Sequence, residues 1–125
     1  MPPPTPPPAE LARLLIERQA KRTSGPNPAS EAAHAACEQL YRGLSRWFGA
    51  EGSRALFVRV LRNTRVKQPA LTGIEIGDSR DGWGLAGVSE AAAQVGDAEV
   101  AAALEVLLTE LLDLLGRFIG ADMVL

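Results

Sequence analysis

The segment at 97–119 constrains the fold more than any other part of this chain. Its large apolar residues recur every three or four positions and occupy an arc of roughly 160° around a helix axis. Glu99, Glu105, Glu110 and Asp113 occupy the opposite side. Because this arc is wider than a surface helix needs, we expect the helix to contact two neighbours, or a core on one side and a partner on the other.

The composition of the whole chain also favours helices. Apolar residues make up 46% of the 125 residues, with alanine and leucine dominant, and aromatic residues make up only 5%. Because alanine and leucine are good helix formers and β-branched residues are scarce, we predict an all-α fold. A chain of this length forms one domain with a sizeable core. The expected architecture is a compact bundle of four to five helices with a proline-rich N-terminal tail.

Prolines and glycines divide the chain into three predicted parts. Residues 1–8 contain six of the nine prolines, which predicts an extended, disordered tail. Residues 9–28 comprise an N-terminal helix, expected to be a peripheral arm, and a linker rich in glycine and proline. Residues 29–125 form the helical bundle.

Helix breakers and capping residues predict where the helices of the bundle begin and end. We predict helices at 30–48, 53–67 and 88–95, followed by the helix at 97–119. The residues expected to end the first three are Gly49, Pro69 and Gly96, and the predicted N-caps are Ser30, Ser53, Ser89 and Asp97. A strand-like stretch at 71–77 has no evident partner strand, so 68–88 is predicted to be a loop.

The counts of reactive residues exclude several chemistries. One cysteine, Cys37, permits no intrachain disulfide, and only His34 accompanies it as a ligand for a four-ligand structural zinc site. These two residues share a helix face and could line a haem or small-ligand site; alternatively, Cys37 is a small buried residue beside a half-exposed histidine. No nucleophile arrangement is recognisable. We therefore expect a protein that is not an enzyme, with no catalytic residue, bound metal or cofactor.

No segment has the character of a membrane anchor or an export signal. A membrane-spanning helix needs about 18 apolar residues in sequence, and four charged residues interrupt the most apolar stretch, 100–119. The N-terminus lacks the basic region and apolar core of a secretory signal. We therefore expect a cytoplasmic protein without membrane contact.

The net charge of −2 hides a strong segregation of charge along the chain. Residues 1–41 are neutral, 42–67 carry +6, and 68–125 carry −8. The central excess predicts a basic helix face formed by Arg54, Arg59, Arg62 and Arg65. This face could bind an acidic protein, pair with the acidic helix of the same or a second copy, follow nucleic-acid phosphates, or simply be solvated. Nucleic acid is possible but disfavoured, because no aromatic residues alternate with the arginines.

Two groups of apolar residues are further candidates for partner contacts. Trp83 lies between glycines in the predicted loop, where it either anchors a partner or plugs the end of the bundle. Trp47 lies on the apolar line of its helix and is predicted to belong to the core. Leu108 and Leu115 belong to the wide apolar arc, on which we expect spare surface for a protein partner or a homodimer.

Two segments carry a recognisable hydrophobic pattern. One is LLDLLGRFIGADM at 111–123, and the other runs from Leu40 to Leu71, with WFGAEG at 47–52 linking two helices. In these segments the chain resembles a set of small all-helical bacterial proteins of uncharacterised function. The resemblance implies an all-helical fold, a bacterial source and a continuation of the chain after Leu125. It implies no activity and no catalytic residue.

Taken together, these features favour a regulatory or signalling module that binds other proteins and self-associates. The first alternative is a nucleic-acid-binding protein that uses the basic face of residues 54–67. The second is a haem or small-ligand sensor domain around His34 and Cys37.

Overall fold

The computed structural model describes residues 7–22, 25, 27–76 and 85–124, and the side chains of these residues except at 50 and 118–124. The elements in chain order are α1 (Pro8–Ala20), α2 (Pro28–Lys67), a short 3-10 helix (Pro69–Leu71), β1 (Glu75–Ile76), β2 (Leu85–Ala86), α3 (Val88–Val95) and α4 (Asp97–Val124). The prediction of an all-α bundle is confirmed. Of the predicted proline-rich tail, residues 1–6 lie outside the described part of the chain.

Gly49 divides α2 into two segments, 28–48 and 50–67, which we call α2a and α2b. Its φ of 77° and ψ of 165° lie in a region that essentially only glycine adopts. In a straight helix, Tyr41 and Phe57 would lie about 24 Å apart along the axis. Their ring centroids are instead 5.4 Å apart, in an edge-to-face contact. The chain therefore reverses at Gly49, where the sequence predicted a helix end, and α2 is a helical hairpin.

The first helix is part of the bundle, which differs from the peripheral arm predicted from the sequence. Ala12 is completely buried, and Leu15 and Ile16 are half-buried against the core. The helix contacts both α2 and α4. The apolar face of α1 is short and has the small residue Ala12 at its centre, which allows the helix to lie close to its neighbours. The sequence did not indicate this packing, because the glycine- and proline-rich linker after the helix suggested a peripheral arm.

The wide apolar arc of α4 is explained by several neighbours within the chain. Along the described part of this helix, one continuous face is buried, formed by Val100, Ala103, Leu104, Leu107, Leu108, Leu111 and Leu115. The helix contacts α1, α2, α3 and the 3-10 helix. Of the two explanations offered by the sequence, contact with two or more neighbours accounts for this buried face.

Two short strands replace part of the loop predicted at 68–88. β1 and β2 pair in antiparallel orientation, with Glu75 opposite Ala86 and Ile76 opposite Leu85. Each strand has only two residues, which is too short to give an alternating pattern in the sequence. Gly87 follows at a φ of 93°, and a Cβ at this position would lie 2.3 Å from the carbonyl oxygen of Gly73. The close approach of these two segments therefore requires glycine.

The serines predicted as N-caps do not cap their helices. Ser30 lies inside the first turn of α2, because a proline at position 28 already begins the helix. Ser53 lies inside α2b, fully buried, and its hydroxyl has no hydrogen-bond partner among the described residues. Ser89 follows the first residue of α3, and Gly87 occupies the cap position without a side-chain hydrogen bond.

Asp97 caps a different helix from the one predicted. It is the first residue of α4, but its carboxylate faces the beginning of α2. The backbone N–H of Ala29 donates to Oδ2 at 3.0 Å, and that of Ser30 donates to Oδ1 at 2.8 Å. Burial alone would raise the pKa of Asp97, but hydrogen bonds from Ser30 and Ala29 outweigh this effect and lower the pKa. The carboxylate thus satisfies two of the backbone donors that a helix start leaves free.

We predict that Gly49→Ala lowers the free energy of unfolding by about 1–3 kcal/mol, because alanine is strained at this backbone conformation. Gly43 is a matched control, since it is exposed in α2a and an added Cβ would meet no atom within 4 Å. Gly43→Ala should raise the free energy of unfolding by about 0.5–1 kcal/mol. Urea denaturation followed by circular dichroism measures both changes. Equal effects of the two substitutions would contradict a reversal at Gly49.

We predict that Asp97→Ala lowers the free energy of unfolding by about 1 kcal/mol at neutral pH, because two N–H groups of α2 lose their acceptor. Glu99→Ala is the control, since Glu99 is exposed in the same first turn of α4. A carboxylate whose pKa is lowered by folding stabilises the protein above its ordinary pKa of 3.8. The difference between Asp97→Ala and the unsubstituted chain should therefore disappear as the pH falls through the folded-state pKa. A difference that persists in acid would contradict the cap.

Candidate interaction surface at the helical hairpin

The apex of the α2 hairpin exposes two aromatic side chains. Trp47 is 77% exposed and Phe48 is 51% exposed. No described side chain between Leu44 on α2a and Ser53 on α2b is buried. The prediction that Trp47 belongs to the core was therefore wrong. The apolar periodicity of α2a continues beyond Leu44, but the chain reverses just past Phe48, so the last turn of the segment extends beyond the packed core.

Both aromatic residues belong to α2a, and Phe48 also lies beside the first turn of α2b. A Cβ added to Gly52 would lie 3.4 Å from Cβ of Phe48. Phe48 thus lies close to the first turn of α2b, while Trp47 extends into solvent. We use "the apex" below for Trp47 and Phe48 together with the neighbouring Arg46, which is also exposed.

The predicted basic face on α2b is present, but it is smaller than expected. Arg59 and Arg62 are exposed and form no ion pair or hydrogen bond with another described residue. Arg54 is half-buried, and it lines a shallow depression with these two arginines. Arg59 and Arg62 are therefore the exposed members of this face.

Arg65, the fourth predicted member of the basic face, has a structural role. Its Nε donates a hydrogen bond to the carbonyl oxygen of Leu71 at 3.2 Å, and its Nη2 donates to that of Ile74. The guanidinium group fixes the connection between the end of α2 and β1. Arg65 is half-buried by these contacts and is not presented to a partner.

The basic end of α2b is neutralised by the acidic side of α4. Lys67 Nζ lies 2.9 Å from Glu110 Oε1, and the Thr64 hydroxyl lies within hydrogen-bond distance of Glu110 Oε2. Burial would raise the pKa of Glu110, but the contacts with Lys67 and Thr64 outweigh it and lower the pKa. At this end of the helix, Lys67 therefore pairs with the acidic helix of the same chain. This pairing is one of the alternatives that the sequence left open for the positive charge.

The structure does not present Leu108 or Leu115 to a partner. Leu108 and Leu115 are both buried in the chain's own core, because α1, α2 and α3 cover the face of α4 on which they lie. Trp83 lies outside the described residues. Among the described side chains of α4 no large apolar residue is exposed, whereas Trp47 and Phe48 at the apex are exposed.

The pair His34 and Cys37 does not form an evident ligand site. Cys37 is fully buried, and burial raises the pKa of its thiol to about 12, so the thiolate needed for metal binding or nucleophilic attack is disfavoured. Burial lowers the pKa of His34, with Glu38 acting in the opposite direction. In the described ranges, no group of three or more His, Cys, Asp or Glu side chains could hold a metal ion.

The comparisons with known proteins add no assignment. No protein-family model, curated protein or solved structure matches this chain. Within the described residues, none of the helices is both long and apolar enough to cross a membrane. The surface is therefore interpreted from its own geometry and charge.

The sequence contained one signal for the apex that the helical periodicity concealed. Two aromatic residues directly precede Gly49, the residue predicted to end their helix. A helix that ends next to a reversal leaves its last turn without neighbours on most sides, so an apolar residue in that turn is exposed even when it continues the buried line. The position of the glycine was thus more informative than the spacing of the apolar residues.

Proposed function

We propose that this chain is a non-enzymatic protein–protein interaction module that binds its partner through the hairpin apex. The observation that carries the proposal is the exposure of Trp47 beside Phe48. Burying a large apolar side chain stabilises a protein by about 1.5–3 kcal/mol, and this gain is not realised at the apex of the isolated chain. Tryptophan is also among the residues that contribute most to protein interfaces. A partner that covers the apex would obtain that gain.

The arginines near the apex indicate the chemistry of the partner surface. Arg46 adjoins Trp47, and Arg59 and Arg62 extend the positive surface along α2b. An acidic partner would be oriented and attracted by these charges, while the aromatic pair supplies the apolar contact. The location that goes with this proposal is the cytoplasm, in agreement with the expectation from the sequence.

The proposal gives the chain no catalytic role. The single cysteine is buried with a raised pKa, and the single histidine is half-buried on the same helix. Neither residue lies at the apex. The arrangement is suited to binding through a surface, and no group at that surface is placed to abstract a proton or attack a substrate.

We expect affinity capture from cells of the source organism to depend on the apex. The baits are the unsubstituted chain, the double variant Trp47→Ser/Phe48→Ser, and the control Val66→Ser, which removes an apolar residue that is 84% exposed but lies on α2b away from the apex. Bound protein should fall at least about tenfold with the double variant, as for a hot-spot contact, and should not change with the control. Mass spectrometry should identify the same protein on the first and third baits. Capture that is equal on all three baits would contradict the proposal.

Nucleic-acid binding is a second candidate, favoured by Arg59 and Arg62, which are exposed and pair with no other described residue. Exposed aromatic rings can also stack on unpaired bases. The inward position of Arg65 and the net charge of −2 weaken this candidate. Retention on a single-stranded oligonucleotide at low salt, lost in the variant Arg59→Glu/Arg62→Glu, would favour nucleic acid over protein as the partner.

A further inference from the structure

We infer that the partner bound by the apex is a second copy of this chain, and that Trp47 of one copy inserts between the 3-10 helix and α3 of the next. This inference rests on the proposed function of the apex as a docking element. It adds the identity of the partner and the surface that receives the aromatic side chain.

A depression of about 270 Å³ lies between the 3-10 helix and α3. The small residues Ala70, Gly73 and Ala91 line it, and Val95, which is 43% exposed, contributes an apolar wall. Its volume is below the roughly 300–1,000 Å³ typical of sites for drug-sized ligands. The depression is therefore suited to a single flat side chain, and its small lining residues leave room for an aromatic ring.

The charges around the two surfaces are complementary. The apex belongs to the part of the sequence with an excess of positive charge, and Arg46 lies next to Trp47. The depression belongs to the acidic part, and the exposed Glu90 lines it together with Gln94. Inserting Trp47 would bring Arg46 towards Glu90, and the Gln94 amide oxygen could accept a hydrogen bond from the indole N–H, which usually has a partner when buried.

Each surface has an exposed apolar residue within one copy of the chain. Trp47 is exposed, and so is Val95 at the depression. A contact between unlike surfaces is head-to-tail, so a pair of bound copies still presents one free apex and one free depression. Association of this kind continues to a closed ring or an open chain of copies, and each contact depends on both surfaces.

Two variants separate the two halves of the contact. Trp47→Ser removes the inserted side chain and leaves the depression intact. Gly73→Leu fills the depression and leaves the apex intact, and an added Cβ at Gly73 would meet no atom within 4 Å. If Gly73→Leu perturbs folding, Val95→Arg is a second variant that blocks the depression, because it places a positive charge opposite Arg46. Asn63→Leu is the control, because this exposed residue lies about 21 Å along α2b from Gly49 and does not line the depression.

The decisive experiment is sedimentation equilibrium of the variants alone and mixed. The unsubstituted chain and Asn63→Leu should associate at high micromolar concentration, less so at high salt. Trp47→Ser and either blocked variant should each remain at the 13.3 kDa of one chain. Their equimolar mixture should form a species of twice that mass and nothing larger, because only one intact apex and one intact depression can meet.

Two results would overturn the inference. One is an unsubstituted chain that stays monomeric at high micromolar concentration; the other is association that the single variants leave unchanged or that their mixture fails to restore. If apex-dependent capture of a different protein accompanies either result, the proposed function stands and the inference alone fails. If no protein, including this chain, binds through the apex, the proposed function fails as well.

Discussion

The reversal of the chain at Gly49 is the constraint on which the rest of the structure depends. Forty residues of nearly continuous helix would otherwise form a rod with no core of its own. One residue with a positive φ folds this helix back on itself, so that Tyr41 meets Phe57 and the two segments share a buried face. The same reversal leaves Trp47 and Phe48, just before it, exposed to solvent. The core of the hairpin and its exposed aromatic apex are therefore two consequences of a single backbone conformation.

A few polar contacts hold the remaining elements against the hairpin. Asp97 ties the start of α4 to the first turn of α2, and Glu110 ties the middle of α4 to Thr64 and Lys67 near its end. Arg65 binds the carbonyl groups of the connection that follows. The contacts of Asp97 and Glu110 join segments distant in the sequence, whereas Arg65 reaches residues six and nine positions further along the chain. What remains of the central positive charge lies near the apex and along the outer side of α2b.

The sequence predicted most of the helices because their signals are local. Periodicity located the buried face of α4, and Gly49 and Gly96 ended their helices as expected. Most of the failures depend on how the segments are arranged in space. Nothing near Asp97 in the sequence shows that its carboxylate faces another helix, and two-residue strands are too short to give a pattern. Trp47 followed the apolar spacing of its helix and was assigned to the core, because spacing gives the direction of a side chain but not whether a neighbour lies there.

The exposure of Trp47 at the apex is the central claim, and fluorescence quenching tests it most directly. Replacing the only other tryptophan, Trp83, with phenylalanine leaves Trp47 as the sole source of indole emission. At low micromolar concentration, where copies of the chain are separate, the emission maximum should be close to that of free tryptophan, and acrylamide should quench it almost as efficiently as free tryptophan. A blue-shifted emission that acrylamide barely quenches would show that Trp47 is buried within the single chain, and would contradict the account.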